Sequence, residues 1–159
     1  MLDRLFPKQI DNAYRGHKVA IWILALVVLL KAIQGVQSIF NTRSVMENAD
    51  GLSLAHFDPA GAALLLSLFA LLGLYLLIVP ALSALALIRY RAMIPLIYLM
   101  LLLVYGASRL VQLLHPVPRA DEHPIGFYVN LVILGLTVLG FLLSLMNRPA
   151  AEAKGTTSP

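Results

Sequence analysis

Four stretches of this chain, about 19–40, 60–88, 92–114 and 125–146, are long enough in helical form to cross a membrane and contain no aspartate or glutamate. Spanning about 30 Å of hydrocarbon takes roughly 20 apolar residues in helix, because a helix satisfies every backbone polar group within its own segment. The chain has 159 residues, 60% of them hydrophobic and 13% charged. Those proportions place it with proteins whose main solvent is lipid. The expected fold class is an all-α integral membrane protein, an antiparallel four-transmembrane-helix bundle forming one domain. With these helices placed, no separate soluble catalytic domain fits, so any site has to be built from helix faces and two modest loops.

The segments between the spans fix their ends. Residues 1–18 mix four cations with Leu2, Leu5, Phe6 and Ile10, a pattern expected of a segment lying on the cytoplasmic membrane surface. Asp11 or Asn12 is placed to cap the first span. A basic region precedes that span but no A-x-A cleavage site follows it, so it reads as a retained helix. Asp58-Pro59 is an N-cap followed by proline at the first helical position. Pro80 is expected to kink the second span. The short turn Arg89-Tyr90-Arg91 returns the third span beside the second, and three prolines between His115 and Pro124 end it. Residues 147–159 carry no apolar periodicity and read as a disordered cytoplasmic tail.

Charge supplies the expected topology. Eight Lys and Arg residues (Arg4, Lys8, Arg15, Lys18, Arg89, Arg91, Arg148 and Lys154) flank one side of the spans, against Arg43 and Arg119 on the other. The positive-inside rule then predicts a multi-pass protein of a plasma (inner) membrane with both termini cytoplasmic. The net charge of +4 reads as a topology signal rather than a nucleic-acid footprint, since no basic run is interleaved with aromatics. The chain has no cysteine, which excludes disulfides, thiolate metal ligands and thiol redox chemistry. Trp22 and Tyr14 at the inner edge, with Phe40, Phe57, Phe127 and Tyr128 at the outer, fit an aromatic belt.

The two halves also resemble one another. Lys31-x-x-Gln34-x-x-Gln37 matches Arg109-x-x-Gln112-x-x-His115, and His56, Asp58-Pro59-x-Gly61 matches Asp121, His123-Pro124-x-Gly126. Two spans per unit preserve direction, so the pattern suggests a parallel tandem repeat of two helical hairpins with a pseudo-twofold axis along the membrane normal.

The chemistry-bearing residues gather in the outward half of the spans. Lys31, Gln34 and Ser38 share one face of the first helix with Gln37 beside them, and Tyr105, Ser108, Arg109 and Gln112 form a stripe on the third. At 1.5 Å per residue, Lys31 lies on the order of 10 Å deep and Arg109 about 8 Å, with Tyr128 and Asn130 of the fourth helix at comparable depth. The inward half reads as nearly all aliphatic. A charge at the bilayer centre costs roughly 3 kcal/mol, so each cation needs a partner, water or a route to the surface. Three arrangements satisfy that need. The stems can snorkel to headgroups, or the cations can pair with Asp58, Asp121 or Glu122 from the loops. Alternatively, Lys31, Gln34, Gln37, Tyr105, Arg109, Gln112 and Asn130 can line an outward pocket for an anionic or carbonyl-bearing ligand.

His56, His115 and His123 are weak metal candidates without ligand spacing, and read first as capping or surface residues. No cofactor is expected: there are no paired intramembrane histidines for haem, and no P-loop, dinucleotide fingerprint or nucleophile elbow. Ser67, Ala70, Gly73, Ser83, Ala84, Gly135 and Gly140 allow close helix approach, within the bundle or between subunits. The leading functional expectation is therefore a non-enzymatic accessory or scaffold protein binding membrane lipid or a larger membrane complex, or a homo-oligomer of this chain. The alternative is a small transporter or carrier holding an anion or amphiphile in the outward pocket. A third reading, an intramembrane enzyme acting on a quinone or lipid, needs the histidine and carboxylate loops to close over that pocket.

Overall fold

A computed structural model describes residues 5–6, 10–55, 57–116 and 124–146. The described residues are helical wherever they are regular, with four helices long and apolar enough to cross a membrane. These are α1 (Lys18–Phe40), α2 (Pro59–Arg89), α3 (Ile94–Leu114, preceded by a 3-10 turn at Arg91–Met93) and α4 (Ile125–Leu145). Their bounds fall within two residues of the spans read from the sequence. The expected tail at 147–159 lies outside the described residues.

The helix ends show why each begins where it does. Asp58 caps α2 as expected: its Oδ1 accepts the Gly61 N–H at 3.2 Å, and Pro59 occupies the first turn, where a missing N–H costs nothing. At α1 the expected cap is wrong. Asp11 instead accepts the N–H of Ala13 at 3.0 Å, and His17 caps the helix through Nδ1, taking the Val19 N–H at 3.3 Å. Residues 10–17 run as irregular chain, so the first orphan N–H groups arise six residues later than Asp11. The stretch expected to be a plain loop from Asn41 to Asp58 starts with a helical turn, Thr42–Ser44, and a π-helical turn, Val45–Ala49. α2 continues through Pro80 without a break.

The long helices differ in how closely they approach. α1 packs along α2 and also against α4, and α4 packs against α3; α2 and α3 meet far less. The α1–α2 crossing is close because both helices present glycine. A methyl at Gly73 would come within 2.8 Å of the Ser38 Cβ and 3.0 Å of the Gly35 carbonyl oxygen, and one at Gly35 within 2.6 Å of Leu77.

The core sits at the end that carries Lys18, Arg89 and Arg91, here called the basic end. Tyr14, Ala20, Leu24, Ile94 and Tyr98 form its buried cluster, with Ile97, Leu101 and Phe141 packed around it. The Tyr98 hydroxyl donates to the Ala20 carbonyl at 2.7 Å, and its ring fills the space that a side chain on Gly140 would need. Backbone bonds from His17 N to Leu143 O and from Ala92 N to Asp11 O, both 3.2 Å, close the same end. Two sequence expectations fail here. Tyr14 is buried in this cluster rather than placed in an aromatic belt. The basic half is also not purely aliphatic: Tyr98, Ser83, Thr137 and Ser144 bury hydroxyls in it. They are tolerated because each donates to a helix carbonyl, Ser83 to Val79, Thr137 to Ile133 and Ser144 to Phe141, at 2.6–2.7 Å.

Candidate functional site

The buried faces of three helices change character at similar distance from the basic end. On α1 the inward residues Ala20, Leu24 and Val27 are followed at helical spacing by Lys31 and Gln34, and then Ser38. On α4, reading back from Ser144, Gly140, Thr137 and Ile133, the next position on that face is Asn130. On α3, Ile94 and Tyr98 are fully buried, while Leu101, Tyr105 and Arg109 continue the stripe half-buried. The apolar core thus gives way to a cationic and amide-bearing layer on α1, α3 and α4. On α2 the corresponding half-buried residues, among them Leu66, Phe69 and Ala70, are apolar.

Within this layer the contacts are specific. Lys31 Nζ donates to Gln34 Oε1 at 3.0 Å and to Asn130 Oδ1 at 3.1 Å, and Gln34 Nε2 lies 3.5 Å from the same Asn130 oxygen. Lys31 is only partly exposed, so its charge lies between α1 and α4. Arg109 lies with its guanidinium carbon 5.0 Å from the Phe127 ring centre and 5.9 Å from that of Tyr105, and Nη1 donates to Gln112 Oε1 at 3.1 Å. Cation–π contact of this kind places a guanidinium by the ring quadrupole without neutralising it. Phe127 and Asn130 are three residues apart on α4, roughly 4.5 Å of rise, so the two cations abut neighbouring positions of one helix.

Among the described residues no carboxylate pairs with either cation; the ion pair found there is Arg43 with Glu47, at 3.2 Å near the start of the Asn41–Asp58 connection. That pair borders a shallow groove lined by Phe40, Asn41, Thr42, Asn48 and Leu66, which includes none of the predicted ligand residues.

The structure therefore brings Lys31, Gln34 and Asn130 together, and separately Tyr105, Arg109 and Gln112. Gln37 does not join them: it is exposed and bonds to the Asn41 side chain. Ser108 is exposed and bonds back to Val104 O at 2.8 Å. Asp58 is exposed and occupied as the α2 cap, which removes it as a partner for Lys31. Asp121, Glu122, His56 and His123 lie outside the described residues, and His115 is exposed at the end of α3. No cluster of three metal-ligating side chains occurs among the described residues.

Two features of this end escape sequence reasoning. Phe127 reads as a belt aromatic, yet it carries Arg109. Gly126 packs on the π-helical turn, where a methyl would fall 2.6 Å from the Ala49 carbonyl oxygen and 3.2 Å from Asp50 Oδ1. Its place in the Pro-x-Gly match with Gly61 is the one signal that singles it out, though Gly61 is close to its own cap, Asp58, instead. The chain matches no family model, no curated protein and no solved structure.

Proposed function

We propose that this chain is a non-enzymatic plasma (inner) membrane protein that binds the polar head of a membrane-soluble amphiphile between α1, α3 and α4. The observation that carries the reading is Lys31: a half-buried ammonium inside an apolar span, held by two neutral amides and, among the described residues, no carboxylate. Snorkelling would turn it to the surface, and a purely structural role would give it an acid. An amide pair orients the cation while leaving its charge for an anionic or carbonyl-bearing group.

In this proposal the four helices form an antiparallel bundle with both termini cytoplasmic and the polar layer in the outward half. Three pairings support the helix directions: Lys31 with Asn130 and His17 with Leu143 for α1 and α4, Gly35 with Leu77 and Gly73 with Ser38 for α1 and α2, and Arg109 with Phe127 and Tyr98 with Gly140 for α3 and α4. The tandem repeat gains support from the matching bonds Lys31 to Gln34 and Arg109 to Gln112, each three residues apart at 3.0 and 3.1 Å.

The test is native mass spectrometry of the gently extracted protein with identification of retained small molecules, wild type against Lys31→Leu/Arg109→Leu. A retained amphiphile lost in the double variant is the expected result; an empty wild-type protein overturns the reading. A second reading, scaffold subunit of a larger membrane complex, is favoured by α2, where of 31 residues only Gly73, Pro80, Ser83 and Ala86 are buried. It predicts that the same extraction brings down a larger complex, unchanged by the double variant.

A further inference from the structure

Resting on the reading above, we infer that the amphiphile is a lipid carrying a phosphate ester, whose phosphate is held by Lys31 and shares its charge with Arg109. The polar layer contains two basic side chains, and their described side-chain partners are Gln34, Asn130, Gln112 and two aromatic rings, all neutral. A neutral head such as a quinone carbonyl would accept one hydrogen bond and leave both charges unbalanced in a medium where each is costly. A phosphate ester offsets the charge and has the acceptor oxygens that an ammonium and a guanidinium can share. Arg109 lies against the Phe127 and Tyr105 rings and bonds Gln112 through a single Nη, so it retains donors for an anion.

The route to this layer favours a lipid over a dissolved ion. α2 and α3 make little contact with each other, and the half of α3 farther from the basic end is exposed at Gly106, Ala107, Ser108, Leu110 and Val111. A methyl at Gly106 would meet nothing within 4 Å. On α2, Leu64, Leu68, Leu71 and Leu72 are exposed as well. The layer thus borders exposed apolar helix surface, against which an acyl or prenyl chain can lie.

The experiment titrates delipidated full-length protein in detergent with an isoprenyl phosphate, phosphatidylglycerol and a ubiquinone, each followed by native mass spectrometry, with inorganic phosphate as competitor. Expected is saturable binding of at least one phosphate lipid, weakened about tenfold or more by Lys31→Gln and by Arg109→Gln, as loss of a charged hydrogen bond implies. Lys31→Arg, which keeps the charge, restores binding and guards against a merely misfolded variant. Which phosphate lipid binds tighter distinguishes a carrier-lipid head from a bulk phospholipid head. Ubiquinone binding as well as the phosphate lipids overturns the phosphate assignment while leaving the amphiphile site standing. Displacement by inorganic phosphate at equal concentration overturns the lipid assignment. Retention of none of the three lipids takes down the amphiphile site itself.

Discussion

The two ends of the packed helices solve the same problem, burying polar groups among apolar helices, in opposite ways. At the basic end four buried hydroxyls donate to helix carbonyls: Tyr98 to Ala20, Ser83 to Val79, Thr137 to Ile133 and Ser144 to Phe141. Those groups are neutral, short-ranged and fully satisfied by backbone. At the other end the inward groups are Lys31 and Arg109, whose charge no hydrogen bond to an amide removes. The first arrangement is what stability alone selects; in the second, the described residues leave the charge of both cations without a carboxylate partner.

The contrast predicts opposite signs for substitutions at the two ends. Tyr98→Ala should have the largest effect, opening a cavity beneath Ala20 and Gly140 and lowering stability by about 3 kcal/mol in a denaturant titration of the reconstituted protein. If it is tolerated, the basic end is not the core. Gly140→Val, which forces the Tyr98 ring out of its seat, should lose about 2 kcal/mol in the same assay. Tyr98→Phe isolates the hydrogen bond to Ala20 and should cost about 1 kcal/mol, the usual size of such bonds between membrane helices. Lys31→Leu should leave thermal stability unchanged or raise it slightly, because it removes a charge that no acid among the described residues balances. A stability loss there as large as that of Tyr98→Ala would make Lys31 a structural residue and erase the distinction between the ends.

The span boundaries and the Asp58-Pro59 helix start were legible because they rest on local rules: length in hydrocarbon, a side chain that caps the third N–H, a proline that needs none. The grouping of Lys31 with Gln34 and of Arg109 with Gln112 was equally local, three residues apart on one helix. What joined Lys31 to Asn130 rather than to Asp58 depends on which helices neighbour one another, and residue spacing along one helix carries no information about that. The same holds for Tyr14, whose place near a span edge suggested a belt, until the turn at residues 10–17 folded it onto Leu24 and Ile94. Gln37 was grouped with the site by spacing, yet it lies one helical step past the inward face and answers to Asn41 instead. Tyr98 was hidden for another reason: in an aliphatic helix its hydroxyl had no visible partner, because that partner is a carbonyl, which every residue possesses.

Asn130 accepts the Lys31 ammonium through a carbonyl oxygen that an aspartate would carry as an anion of nearly the same shape. Exchanging that amide nitrogen for oxygen would close the proposed anion site into an ion pair, giving a sturdier layer that no longer answers to an outside anion. On the proposed reading the site therefore depends on the neutrality of one side chain, and Asn130→Asp is the smallest edit expected to silence it while leaving every helix in place.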